Sequence, residues 1–162
     1  MIEILVVVTT VTILSAVILI YNHQGESQLI LFKEQSRLVS EISRAKVLSV
    51  ETFNESGVPC GYGIHFVDSK TYVLYKDIAP DCSLSNNRYV DLTGDQIVAT
   101  TTIDSAVSFG VLPISDVLFA PPDPRVFIDG APNYSGVATI PLVSITGTEL
   151  DVKINGAGQI TI

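Results

Sequence analysis

MIEILVVVTTVTILSAVILIYN, residues 1–22, decides the fold. Between positions 2 and 20 the one ionisable residue is Glu3, and the polar ones are Thr9, Thr10, Thr12 and Ser15. As a helix this run is about 28 Å long, against roughly 30 Å for the hydrocarbon core of a bilayer. It lacks the basic n-region of a cleaved secretory signal and is longer than the usual apolar h-region, so it reads as a retained helix. With no Lys or Arg ahead of it, the chain as written reads as already processed. A lone carboxylate in such surroundings costs several kcal/mol unless a cation relieves it.

The helical pattern continues beyond the run. Leu31, Gln35, Leu38, Ile42, Ala45, Ser49 and Phe53 recur every three to four residues, with Glu34, Arg37, Glu41, Arg44 and Glu51 mostly off that stripe. No proline occurs before Pro59 and Gly25 is the one glycine before Gly57. A single helix to about residue 53 would be roughly 80 Å long, more than a compact domain of this size needs, so its first half must project. Weak points are expected at Gly25 and among the threonines at 9–12.

After Asn54 the period changes to two. Strands are predicted at 62–67 and 72–78 around an Asp68-Ser69-Lys70 turn, then at 89–92, 96–103, 106–112, 117–119, 125–128, 137–145, 150–154 and 159–162. Leu150, Val152 and Ile154 alternate with Asp151, Lys153 and Asn155, as in a half-buried strand. The breaks APPDP and DGAPNYSG are turn chemistry. The fold class is α+β: an apolar helix over 1–24, its amphipathic continuation over 25–54, and a β-rich head domain over 55–162.

The chain has 162 residues, enough for one domain with a real core. Nine Lys plus Arg against seventeen Asp plus Glu give a formal charge of -8. A phosphate-tracking surface needs clustered cations, so nucleic acid is argued against as a partner. Lys33, Arg37, Arg44 and Lys46 form the densest basic stretch, but Glu34 and Glu41 interleave with them as on a solvated helix face. Cys60 and Cys82 bracket 21 residues and lie in no CxxC pair. Outside the cytoplasm they read as a disulfide, worth roughly 3 kcal/mol by loop closure; the alternative is two unrelated buried thiols.

Sequence signals for chemistry are thin. His65 lies in a strand pattern with no carboxylate near it in sequence, which reads as a satisfied or exposed strand histidine rather than a catalytic base. His23 lies in a polar boundary stretch, YNHQGES. No GxSxG, HExxH or GxxxxGK[ST] motif occurs, and Gly156 and Gly158 belong to a tight turn. DLTGDQ at 91–96 reads as a turn without the spacing of a calcium loop. Asn54-Glu55-Ser56 and Asn133-Tyr134-Ser135 match the minimal glycosylation sequon. No catalytic residue, cofactor or metal ligand is expected, and the protein reads as a non-enzyme.

IEILVVVTTVTILSAVILI, an apolar helix headed by one glutamate, resembles the N-terminal signature of the type IV pilin superfamily. A weaker likeness covers the rest. The amphipathic helix leading to the Cys-Gly-Tyr-Gly-Ile strand, then FIDG and the terminal NGAGQITI, resemble the H-type pseudopilins and FimT-like minor pilins, which pack a long helix against β-sheet. The resemblance implies leader removal by a prepilin peptidase and methylation of the new amino terminus. It also implies a glutamate at the fifth mature position that pairs with a neighbouring subunit's amino terminus. Glu3 stands two places short of that position, so either two residues precede Met1 or the pattern departs.

The implied function is that of a structural subunit of an extracellular pilus-like filament, held in the cytoplasmic membrane before assembly. Its partners would be copies of itself and the pilus assembly machinery. Glu3 would serve subunit assembly, Cys60 and Cys82 would staple the head domain, and loops 120–125 and 129–136 would face neighbours or solvent. The alternatives are a minor pseudopilin of a type II secretion or DNA-uptake system, and a membrane-anchored surface binding module.

Overall fold

A computed structural model of the protein describes residues 2–52, 59–90, 95–122, 125–132 and 134–162, with backbone alone over 18–24. Phe53, the sequon at 54–56, residues 91–94 of the acidic stretch, Asn133 and the side chain of His23 lie outside the described residues. The chain is α+β, a helix packed on antiparallel sheets.

α1 runs from Ile2 to Glu51 without a break, through both places where weakness was expected. The hydroxyls of Thr9, Thr10 and Thr12 donate to the carbonyls of Leu5, Val7 and Thr9 at 2.7, 2.9 and 2.8 Å, and that of Ser15 donates to Val11 at 2.8 Å. Their polarity is thus satisfied inside the helix rather than against it. One internal glycine costs only about 1 kcal/mol, which a long cooperative helix absorbs.

The strands are β1 (Gly61–Phe66), β2 (Thr71–Asp77), β3 (Asp95–Thr102), β4 (Val107–Phe109), β5 (Asp116–Ala120), β6 (Arg125–Ile128), β7 (Ala131–Pro132), β8 (Val137–Ser144), β9 (Glu149–Asn155) and β10 (Ile160–Thr161). They form one sheet in the order β3-β2-β1-β5-β6-β7 and a second in the order β10-β9-β8-β4. The strand expected at 89–92 is not formed in its described part. Tyr89 N–H donates to Asp116 Oδ1 and Val90 N–H to Asp95 Oδ2, so carboxylates take donors that a neighbouring strand would have used. β7 was not expected; its Pro132 is tolerated because the strand lies at a sheet edge.

α1 packs against β1 and β5 of the first sheet and β4, β8 and β9 of the second. The predicted stripe is the packed face: Leu31, Gln35, Leu38, Ile42, Ala45 and Ser49 are all buried. They meet the inward residues Ile64, Leu74, Val117 and Phe119 of one sheet and Ile140, Leu142, Val152 and Ile154 of the other. Burying each large aliphatic side chain contributes about 1.5–3 kcal/mol. The polar members of the stripe have partners: Gln35 Nε2 donates to the Asp151 carbonyl at 2.8 Å, and Ser49 Oγ to the Lys46 carbonyl at 2.8 Å. Glu34, expected off the stripe, is also buried, with Arg37 3.8 Å away.

The opposite, outer face of the first sheet carries a smaller cluster of Tyr75, Leu118, Ala120 and Phe127, with Tyr89 packed against it. Gly63 makes this possible. A Cβ there would stand 2.7 Å from the Tyr75 ring and from the Val117 carbonyl, so only glycine lets the tyrosine lie across β1. Cys60, just before β1, is joined to Cys82 by a disulfide with the Cα atoms 5.1 Å apart. The bond ties the segment that follows β2 to the start of β1.

Candidate assembly surface

Over residues 2–17 every described side chain of α1 is exposed. Every large aliphatic side chain from Ile2 to Val17 is more than half exposed, on all sides of the helix. A helix that is hydrophobic all round is normally surrounded by lipid or by other helices. Among the described residues no helix is long and apolar enough to cross a membrane. The stretch with described side chains, 2–17, is about 24 Å long, and the sequence stays apolar to Ile20. Glu3 is exposed in the first turn of α1 and forms no ion pair among the described residues. Its negative charge suits the positive end of the helix dipole, a contribution of about 0.3–1 kcal/mol.

The second half has two faces. Opposite the packed stripe, Leu29, Phe32, Lys33, Ser36, Ser40, Val47 and Val50 are exposed. Arg37 and Arg44 are each turned toward a glutamate one turn away, Arg37 to Glu34 and Arg44 to Glu41 at 3.4 Å. Lys33 has no such partner among the described residues.

The outer face of the first sheet pairs a histidine with a carboxylate. Strand register places Asp116 opposite His65, His65 opposite Val73 and Val73 opposite Thr100, a row across four strands. His65 Nδ1 lies 2.9 Å from Asp116 Oδ1, which also accepts the Tyr89 N–H at 3.2 Å. The Tyr89 ring stacks on the imidazole, with centroids 4.7 Å apart. The carboxylate oxygen accepts from the Nδ1–H, which fixes the orientation of the imidazole ring. Beside the pair, His65, Val67, Thr71, Val73, Ile97 and Thr100 line an open groove of about 540 Å³ with Tyr89 as its wall.

This face is acidic. Asp77, Asp95 and Asp116 all lie on it. Burial pushes the Tyr75 phenol well up, and the carboxylates of Asp116, Asp95 and Asp77 push it further. Burial, with Asp77 adding to it, raises Asp95 to about 6. Asp77 is itself buried and holds the following segment, accepting the Ala79 N–H at 3.0 Å and the Ser85 hydroxyl. Among the described residues no group of three or more His, Cys, Asp or Glu side chains could hold a metal ion. A second groove, of about 380 Å³, runs along the disulfide between Phe127 and Arg125.

The two cysteines predicted to pair are joined, and they lie in the head domain, apart from Glu3. Asp116 is the residue that sequence reasoning missed: it is 51 positions from His65, and only the β1–β5 register brings the two together. No protein-family model, curated protein or solved structure matches the chain.

Proposed function

We propose that this protein is a structural subunit of a type IV pilus-like filament, held in the cytoplasmic membrane by its N-terminal helix and assembled outside the cell through it. The supporting observation is the two-part α1: one half is apolar all round, uncovered and headed by Glu3, while the other is anchored in a disulfide-tied head domain. Packing such helices side by side buries their aliphatic surface at about 25 cal/mol per Å². Apolar helices alone would slide past one another. A carboxylate that needs a cationic partner, such as a neighbour's amino terminus, fixes their register.

The test is Glu3→Ala in the full chain, read by electron microscopy of sheared surface filaments and mass spectrometry of their subunits. The wild-type chain is expected in the filaments. The variant is expected in the membrane fraction at normal abundance and absent from filaments. Filaments that lack the wild-type chain, or that form equally well from the variant, would overturn the reading. A membrane-anchored binder would be indifferent to the change.

A further inference from the structure

The groove along the disulfide lies apart from both the apolar half of α1 and the groove beside His65. The β5–β6 register sets it up: Ala120 stands opposite Arg125 and Leu118 opposite Phe127, so Ala120, Arg125 and Phe127 share one face of the sheet. Phe127 and Ala120 are buried and floor the groove, while Pro121 and the Cys60–Cys82 disulfide run along its sides. Its volume of about 380 Å³ and its apolar walls are those of a small-molecule site, in which a few polar groups fix the ligand.

Two polar side chains line it. Arg125 is exposed and forms no hydrogen bond or ion pair among the described residues. Asn87 Nδ2 gives one hydrogen to the Ser85 carbonyl at 3.2 Å and keeps a second. Both can donate, and no carboxylate belongs to the described lining. The acids of this sheet face stand elsewhere: Asp77 and Asp95 line a separate groove, and Asp116 is turned to His65. In a chain of net charge -8, this is a local positive site with apolar walls.

We propose that this groove binds a small organic carboxylate with an aromatic body. The body lies against the Phe127 ring and the disulfide, and the carboxylate accepts from the Arg125 guanidinium, whose fork matches its two oxygens, with Asn87 Nδ2 as a further donor. A neutral ligand of the same shape leaves the guanidinium covered and unpaired, so charge sets the class. The site belongs to the head domain and does not depend on how α1 assembles.

The probe is 4-benzoylbenzoate, a photoreactive aromatic carboxylate, applied to the full-length protein in intact membranes and in detergent, with adducts mapped by mass spectrometry. Adducts are expected at Phe127 and along the disulfide, and excess 3-phenylpropionate is expected to suppress them. On the unaltered protein, the neutral 4-benzoylbenzamide should label this site roughly tenfold less or weaker still. Arg125→Gln should lower labelling by the carboxylate by a similar factor, and Arg125→Lys should lower it less. Lys153→Gln removes a cation from β9, on the second sheet, and should leave the yield unchanged. Adducts confined to other regions, equal labelling by the amide, or indifference to Arg125→Gln overturns the proposal. Labelling that is present in detergent and absent from membranes gives the groove to a neighbouring chain and overturns it as well.

Discussion

Val7 and Leu38 lie on the same unbroken helix, and their surroundings could hardly differ more. Val7 is surrounded by nothing the chain itself supplies, whereas Leu38 is sealed between two sheets. Both halves of α1 are rich in aliphatic residues, so hydrophobicity alone does not decide which half belongs to the head domain. Distribution does. Where apolar residues recur at one angular position, an intramolecular face covers them; where they occupy every position, no single face can. The packing that stabilises the fold therefore resides in the second half, and the exposed side chains from Ile2 to Val17 contribute none of it.

That division can be attacked directly. Leu38→Ala should lower the unfolding free energy of the head domain by about 2–5 kcal/mol, because the cavity opens where three layers meet. Thermal unfolding of the full chain in detergent checks it, and an unchanged midpoint would break the assignment of stability to the second half. Replacing Cys60 and Cys82 together by serine should cost about 3 kcal/mol in the same assay, through lost loop closure.

Asp95 gives a smaller effect with a defined sign. Its folded value of about 6 lies above that of an unfolded carboxylate, near 3.9, so the folded state holds the proton more tightly. The head domain should become more stable as pH falls from about 7 toward 5 through this group. Asp95→Asn should flatten that part of the profile while its side-chain oxygen still accepts the Val90 N–H. A difference profile between the two proteins that does not vary across this range would contradict it. At the small end, Val7→Ala should change the unfolding free energy of the head domain by less than about 0.5 kcal/mol, since no packing in the molecule is lost.

Much of this architecture could be read from residue spacing. The 3.6-residue recurrence from Leu31 to Ser49 named the packed face almost residue for residue, because burial against sheets selects one angular position. Strands with clean alternation, such as β9, were found for the same reason. What could not be read depended on distant pairing. Tyr89 and Val90 look like strand residues, yet Asp116 and Asp95 satisfy their backbone donors. Glu34 looked like a surface charge, and its burial follows from how broadly the sheets wrap the helix. The His65–Asp116 pair has no local signature at all, since each residue is unremarkable within its own strand. Of the candidate assembly surface, Glu3 and the apolar run were legible, while the groove beside His65 was not.

The four hydroxyls on the first half of α1 have a further consequence. Thr9, Thr10, Thr12 and Ser15 carry their acceptors with them, one turn back along the same helix. These hydroxyls ask for no partner outside their own helix, and among the side chains described over 2–17 Glu3 is the one ionisable group. Four hydroxyl-bearing residues thus leave the 2–17 stretch nearly as undemanding of outside hydrogen-bond partners as a purely aliphatic one.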